Sequence, residues 1–291
     1  MRAVSWNDGW TVKHLDETGE GTPVRIPHDA MLAEKKSEDA PGGTNTGWYE
    51  GYDYLYEKDF IPGDEYKNKK MILEFEGVYH EAEVWINDIK AAFRPYGYIG
   101  KHNHISVIAR NANQPNSRWY SGAGIYRPVT LWVGDDIYIP VNGVKIRTVS
   151  IEPAKIEVSV QTNAASPVSI EIIDPNGNAV CTRKSECAYE VTEVIDVPDA
   201  KLWNVDTPFL YKCRVKAQND VVSENFGIRE LSWGEKGICI NKERIIIQGA
   251  CVHHDNGLLG AVCDPDAIER KVRLMKENGY NAIRSAHNPC S

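Results

Sequence analysis

A mostly β chain closing on a single β-α-β unit is the fold class that this sequence predicts, and three observations carry the prediction. From 10 to about 132, short runs that alternate apolar and polar residues are broken by Gly, Pro, Asn and Asp. After Gly134-Asp135-Asp136 a second series of the same kind begins. From Arg244 the pattern changes to a β-branched apolar run, a segment of helical period and a second apolar run.

In the first series, strands are expected at 54–60, 70–75, 82–86 and 104–109, at the lengths and spacings of a jelly-roll β-sandwich. Asn87-Asp88 is a turn signal, and with the run resuming at Ala91 it predicts a hairpin. No long helix can be placed there. The second series predicts strands at 141–149, 155–161, 168–173, 189–195 and 210–217, with Asp174-Pro175-Asn176-Gly177-Asn178 as a turn. About a hundred residues of such strands fit one immunoglobulin-like β-sandwich, ending near 226–230. Residues 231–243 read as a hairpin with Lys236-Gly237 and Asn241-Lys242 near its turns. The expected domains are therefore 1–134, 135–230 and 231–291.

The last of these is the most telling chemically. The run from Arg244 through Val252 reads as a buried strand that ends in His253-His254-Asp255. Asp264 is placed to cap a helix with Pro265 at its first position, Ile268, Val272 and Met275 share one face, and Gly279 supplies the stop. A second strand, 280–284, runs into Ser285-Ala286-His287-Asn288-Pro289. Parallel α/β architectures bind ligands beyond the carboxyl ends of their strands, so both polar ends point to a site. A closed eight-stranded barrel needs about 250 residues, far more than follow Arg244. Either further sequence completes the barrel, or the unit is a short tail on something else.

Composition narrows the remaining classes. With 42% hydrophobic and 25% charged residues the chain is ordinary globular protein, and a net charge of −8 without a basic block argues against nucleic-acid binding. No apolar run approaches a membrane span and no signal-type segment opens the chain, which gives a cytoplasmic expectation. Seven scattered cysteines without a Cys-x-x-Cys pair indicate reduced, structural thiols.

Several motifs make the order of parts specific. These are Ile26-Pro27-His28-Asp29, Phe75-Glu76-Gly77-Val78-Tyr79, Ala82-Glu83-Val84-Trp85-Ile86-Asn87, Pro95-Tyr96-Gly97-Tyr98 and, above all, Asn116-Ser117-Arg118-Trp119-Tyr120-Ser121-Gly122-Ala123-Gly124-Ile125-Tyr126-Arg127. Leu202-Trp203-Asn204, Thr207-Pro208-Phe209-Leu210-Tyr211, Phe226-Gly227-Ile228-Arg229, His253-His254-Asp255 and Ala282-Ile283-Arg284-Ser285-Ala286-His287-Asn288-Pro289 follow in order. Together they resemble the amino-terminal half of glycoside hydrolase family 2, which holds β-galactosidases, β-glucuronidases and β-mannosidases. The resemblance spans nearly the whole chain and implies a jelly-roll sugar-binding-type domain, an immunoglobulin-like domain and the start of a TIM (β/α)8 barrel.

It also implies retaining hydrolysis of a β-galactoside or related sugar, by two carboxyl groups roughly 5 to 5.5 Å apart. In the family both are glutamates on later barrel strands, so no catalytic residue is assigned in this chain and the chain alone is expected to be inactive. Glu269 and Glu277 fall on the helix, outside the barrel, as solvated charges. What the resemblance places here is substrate contact: His253 facing the pocket, His287 near the sugar, Arg284 just inside, and Arg118 on a loop that reaches the barrel mouth. An imidazole suits a sugar hydroxyl because one nitrogen donates while the other accepts. For the block around Arg118 the plainer alternative is that Trp119 and Tyr126 pack the end of the sandwich.

A metal site from His253, His254 and His287 is weakly supported, because adjacent strand residues diverge. No cofactor motif is evident, while a divalent cation and homo-oligomerisation remain open for a longer enzyme. After Tyr98 the chain passes at once to the run at 105–108, where the family has a further strand, which leaves a neighbouring edge exposed. Two alternatives stand beside a β-galactosidase: another family 2 member such as a β-glucuronidase, and a non-catalytic carbohydrate-binding or scaffold protein.

Overall fold

The structure is a computed structural model that describes residues 1–91, 103–186, 188–235 and 237–286. The segment after Tyr98, where the sequence suggests a reduced strand, lies outside these residues, as do Lys236 and His287. Two compact units form. One comprises Met1–Arg2, Asn68–Lys70 and Gly134–Ile247, and the other Ala3–Lys67, Met71–Val133 and Gln248–Ser291.

In the second unit a six-stranded sheet has the order Thr22–Val24, Trp10–His14, Asp53–Phe60, Asn103–Arg110, Glu83–Ile86, Ile89–Lys90. A three-stranded sheet, Arg2–Ser5, Val129–Gly134, Lys70–Phe75, completes the sandwich. The alternation that marks the strands in the sequence is the alternation of burial: along Asn103–Arg110 every second residue is buried. Trp10, Tyr54, Tyr56, Ile105, Val107 and Leu131 form the core between the sheets. The expected hairpin is a two-residue turn in which Ile86 pairs with Ile89, so the strand resumes two residues before Ala91. Asn87 and Asp88 both take positive φ, 50° and 62°, matching the twist of the flanking strands.

The first unit holds the immunoglobulin-like sandwich. Val144–Ile151, Ala154–Ser166 and Ala188–Asp196 form one antiparallel sheet. Ala179–Lys184, Val168–Ile173, Tyr211–Ala217 and Asp220–Phe226 form the other. Ile156, Val158, Ile170, Ile172, Ile195 and Val215 close the core, and burial pushes the Cys213 thiol among them up to about 12. Ala179–Lys184 and Asp220–Phe226 escape the sequence reading because both are edge strands, whose exposed faces carry polar residues. The hairpin expected at 231–243 appears as Leu231–Gly234 and Gly237–Ile240, extended by Glu243–Arg244.

The final element is the β-α-β unit. Gly249–Val252 pairs in parallel with Ala282–Ser285 through the helix Pro265–Glu277. Asp264 accepts a hydrogen bond from the Ala267 N–H at 2.9 Å, Pro265 opens the helix, and Gly279 ends it with φ 83°. One expectation fails. The run from Arg244 is not one buried strand: Ile246 and Ile247 are 67% and 51% exposed, and only four residues pair. A parallel strand is buried when neighbours and helices cover it, and among the described residues this one has a single paired neighbour. Glu269 and Glu277 are solvated as expected. The chain is thus mostly β: jelly-roll sandwich, immunoglobulin-like sandwich, first βαβ unit of a TIM barrel. Among the described residues no helix is long and apolar enough to cross a membrane.

Two outcomes follow from this packing. The helix leaves Ile268, Val272 and Leu274 exposed, so gel filtration at rising concentration should show association above the monomer, and a concentration-independent monomer would contradict this. On the six-stranded sheet, His104 places Nδ1 3.0 Å from Asp59 and Nε2 3.2 Å from Glu57. Burial opposes the charged imidazole, but the two carboxylates outweigh it and hold its pKa above the ordinary 6.5. Such a group stabilises the fold fully below its unfolded pKa, and that stability is lost as pH rises through the raised folded value. Urea unfolding should therefore show His104→Gln losing more stability at about pH 5.5 than at about pH 8.5, by under about 1 kcal/mol for a pair this exposed.

Candidate functional site

The site is assembled around Asp29, which is 2% exposed. Its Oδ1 accepts from the backbone N–H groups of Met31 at 3.2 Å and Ala123 at 3.0 Å. Its Oδ2 accepts from the Tyr120 hydroxyl at 2.7 Å and the Ala261 N–H at 2.9 Å. One carboxylate thereby fixes a short 3-10 turn, Ala30–Ala33, the loop leading into the last sandwich strand, and the loop that follows the first barrel strand. Two glycines permit the approach. At Gly122, with φ 67°, a Cβ would lie 2.6 Å from Oδ2, and at Gly260, with φ 57°, 2.3 Å. Burial, and then the Asp29 charge, drive the Tyr120 phenol pKa upward, so this hydroxyl stays a donor.

The two histidines at the strand end point to different neighbours, as adjacent residues should. His254 directs Nε2 toward the Ser121 carbonyl at 3.4 Å, which requires that nitrogen to donate, and its ring leans on Tyr126 at 5.6 Å. Desolvation lowers its pKa, partly offset by the Ser121 hydrogen bond, so it is neutral and structural. His253 meets the Trp119 ring edge-on, centroids 5.5 Å apart. The Arg118 guanidinium lies 5.9 Å from the centroid of the same ring. Lys271, on the helix, donates to the carbonyls of His253 at 3.3 Å and Asp255 at 2.8 Å, fixing the backbone on either side of His254.

Beside this group is an open cleft of about 490 Å³, lined by Asn45, Tyr79, Asn116, Ser117, Arg118 and Trp119 among others. Tyr79 donates to Asn116 Oδ1 at 3.2 Å, and the Asn116 amide donates to Asn111 Oδ1 at 2.8 Å, so the wall is hydrogen-bonded into the sandwich. Amides, a guanidinium and an indole face suit a neutral, hydroxyl-rich ligand. Among the described residues no carboxylate lines the cleft, so these residues can hold and orient such a ligand but offer no acid of their own.

Of the residues marked by sequence, the structure brings Arg118 and His253 to the same ring, that of Trp119. Arg284 sits opposite Cys251 in the parallel pair and directs Nη1 toward its Sγ at 3.4 Å, which ties one barrel strand to the next. His287 lies outside the described residues. Asn45 and Lys271 carry no sequence signal for their roles. Asp29 does have one, its place in the Ile26-Pro27-His28-Asp29 motif, but its donors at 31, 120, 123 and 261 are visible only in the fold.

Two sandwiches leading into a parallel βαβ unit, with polar groups gathered at a strand's carboxyl end, define a modular protein built around a barrel. The model for glycosyl hydrolases family 2 matches residues 139–229, and that for the TIM barrel domain of the same family matches 233–291. The chain belongs to glycosyl hydrolases family 2. It is 34% identical to beta-galactosidase BoGH2A from Bacteroides ovatus over 91% of this chain and 35% of that protein. A beta-glucuronidase from Bacteroides fragilis is 27% identical over 80% of this chain and 40% of that protein. The crystal structure of a beta-glycosidase from Bacteroides vulgatus superposes with a TM-score of 0.87 at 28% identity, over 99% of this chain and 42% of that one. The chain thus spans between about a third and two fifths of these relatives.

The geometry around Asp29 carries a stability expectation. Asp29→Ala strands three buried N–H groups and a half-buried phenol, and should cost on the order of 3–5 kcal/mol in urea unfolding, with Asn at this position intermediate. A loss below about 1 kcal/mol for the alanine variant would contradict the hub.

Proposed function

We propose that this chain is the substrate-positioning, amino-terminal part of a retaining glycoside hydrolase acting on β-galactosides. Arg118 and His253, with Arg284 and His287, are its sugar-contacting residues, and its domains are 1–134, 135–230 and 231–291. The observation that supports the reading most directly is the convergence of Arg118 and His253 on Trp119 beside a cleft rich in neutral donors and acceptors. Beta-galactosidase BoGH2A, the relative at 34% identity, favours the galactoside. The identity to a beta-glucuronidase favours a glucuronide as the second reading, and Arg118 would suit its carboxylate through charge-assisted hydrogen bonds.

In this reading the chain binds and orients the sugar while two glutamates on later barrel strands perform the displacement and the proton transfer. The 291-residue chain should therefore give no turnover of nitrophenyl β-galactoside. In an enzyme that joins this chain to the remaining barrel strands, Arg118→Ala should raise KM about tenfold with kcat little changed, the signature of lost uniform binding. Hydrolysis by the chain alone, or an Arg118→Ala enzyme with unaltered KM, would overturn it. A complete enzyme that prefers the nitrophenyl β-glucuronide would select the second reading.

A further inference from the structure

The turn that carries Asn45 into the cleft also carries a feature that the positioning residues leave unexplained. Trp48 is 43% exposed, and its backbone is left-handed, with φ 66°. That conformation is rare for a bulky side chain, and it directly follows a second left-handed residue, Gly47 at φ 65°. The conformation is held from both sides. The Trp48 N–H donates to the Gly43 carbonyl at 2.8 Å, and the Trp48 carbonyl accepts from the Ser37 N–H at 2.9 Å. Thr46 Oγ1 donates within the same turn, to the Gly43 carbonyl at 3.3 Å or the Tyr49 carbonyl at 3.2 Å. The next residue forms an isolated bridge with Lys36, whose ammonium lies 4.7 Å from the Tyr49 ring centroid. The indole lies beside Gly43, in van der Waals range of where its Cβ would be, and a large part of it faces solvent.

A strained backbone that the surrounding structure over-determines, presenting an aromatic ring to water three residues from a cleft-lining amide, is the arrangement of a ligand platform. Burial of the indole in the core would have been the stabilising use of the residue, and the turn prevents it. An exposed indole face attracts the polarised C–H groups on one side of a pyranose ring, whereas hydrogen-bonding groups such as Asn45 and Arg118 serve the hydroxyls at its rim.

We propose that Trp48 is the platform for a second pyranose ring, next to the one held in the cleft, so that the chain selects β-linked di- or oligosaccharides over single sugars. This rests on the reading that the cleft takes a glycoside, and the two can fail separately. Trp48 is a specificity-determining residue, not a catalytic one.

The test titrates the 291-residue chain with galactose and with lactose, following ligand NMR line widths. Lactose should bind about tenfold more tightly than galactose, the size expected of one stacked ring. Trp48→Asn removes the ring while keeping a side chain that tolerates the left-handed backbone. It should reduce lactose to the affinity of galactose and leave galactose unchanged, and Trp48→Phe should restore most of the difference. A lactose advantage that survives in the folded Trp48→Asn chain would overturn the platform, as would equal binding of the two sugars by the unaltered chain. Failure of both sugars to bind would instead remove the glycoside reading, and the platform with it. If Trp48→Asn does not fold, Trp48→Gly takes its place, since glycine also accepts the left-handed backbone and removes the ring, and a lactose advantage that survives in it would overturn the platform.

Discussion

A single buried carboxylate holds together the loops around the candidate site. Asp29 receives four hydrogen bonds from donors that stand far apart in the chain, at 31, 120, 123 and 261. Charge-assisted bonds of this kind are stronger than neutral ones, and a buried carboxylate without them would be costly, so the three segments and the acid depend on one another. Backbone pairing reinforces the arrangement: the His28 N–H donates to Ile125, the Ala30 N–H to Ala123, and the Cys263 N–H to Tyr126. The loop bearing Arg118 and Trp119 is therefore placed with respect to His253 by fixed contacts within one compact unit.

This division of labour suits a protein whose site is spread over several elements. The sandwich brings hydrogen-bonding side chains of its loops to the cleft, and His253 stands just beyond the first barrel strand, against Trp119. His254, one residue on, is turned the other way and used as mortar between Ser121 and Tyr126. Two neighbouring imidazoles thus have different tasks, set by the alternation of an extended chain and by the burial that keeps His254 neutral.

Much of the fold can be read from the residues because local chemistry agrees with the global structure. Asn87-Asp88 forms the tight turn that those side chains favour, Asp264 and Pro265 begin the helix, and the central strands of both sandwiches show the alternation that their burial demands. What escapes the sequence does so for physical reasons. The edge strands Ala179–Lys184 and Asp220–Phe226 are polar because their outer sides face water, so they lack the apolar period of a strand. Ile246 and Ile247 have the composition of a buried strand without its surroundings. At the candidate site, motifs mark Arg118 and His253, which meet at Trp119, but the donor set of Asp29 and the cleft wall at Asn45 and Tyr79 arise from long-range contacts that no local pattern encodes.

Lys271 gives the helix Pro265–Glu277 a mechanical role. Its ammonium grips the carbonyls of His253 and Asp255 from a distance of 18 and 16 residues along the chain. The helix is in effect a lever whose short arm ends beside the imidazole that meets Trp119. A displacement of its outer surface, whether by a neighbouring element or by a substitution far from the cleft, is transmitted to His253 through two hydrogen bonds to rigid backbone. Sensitivity of this site to distant change is built into the first helix of the barrel.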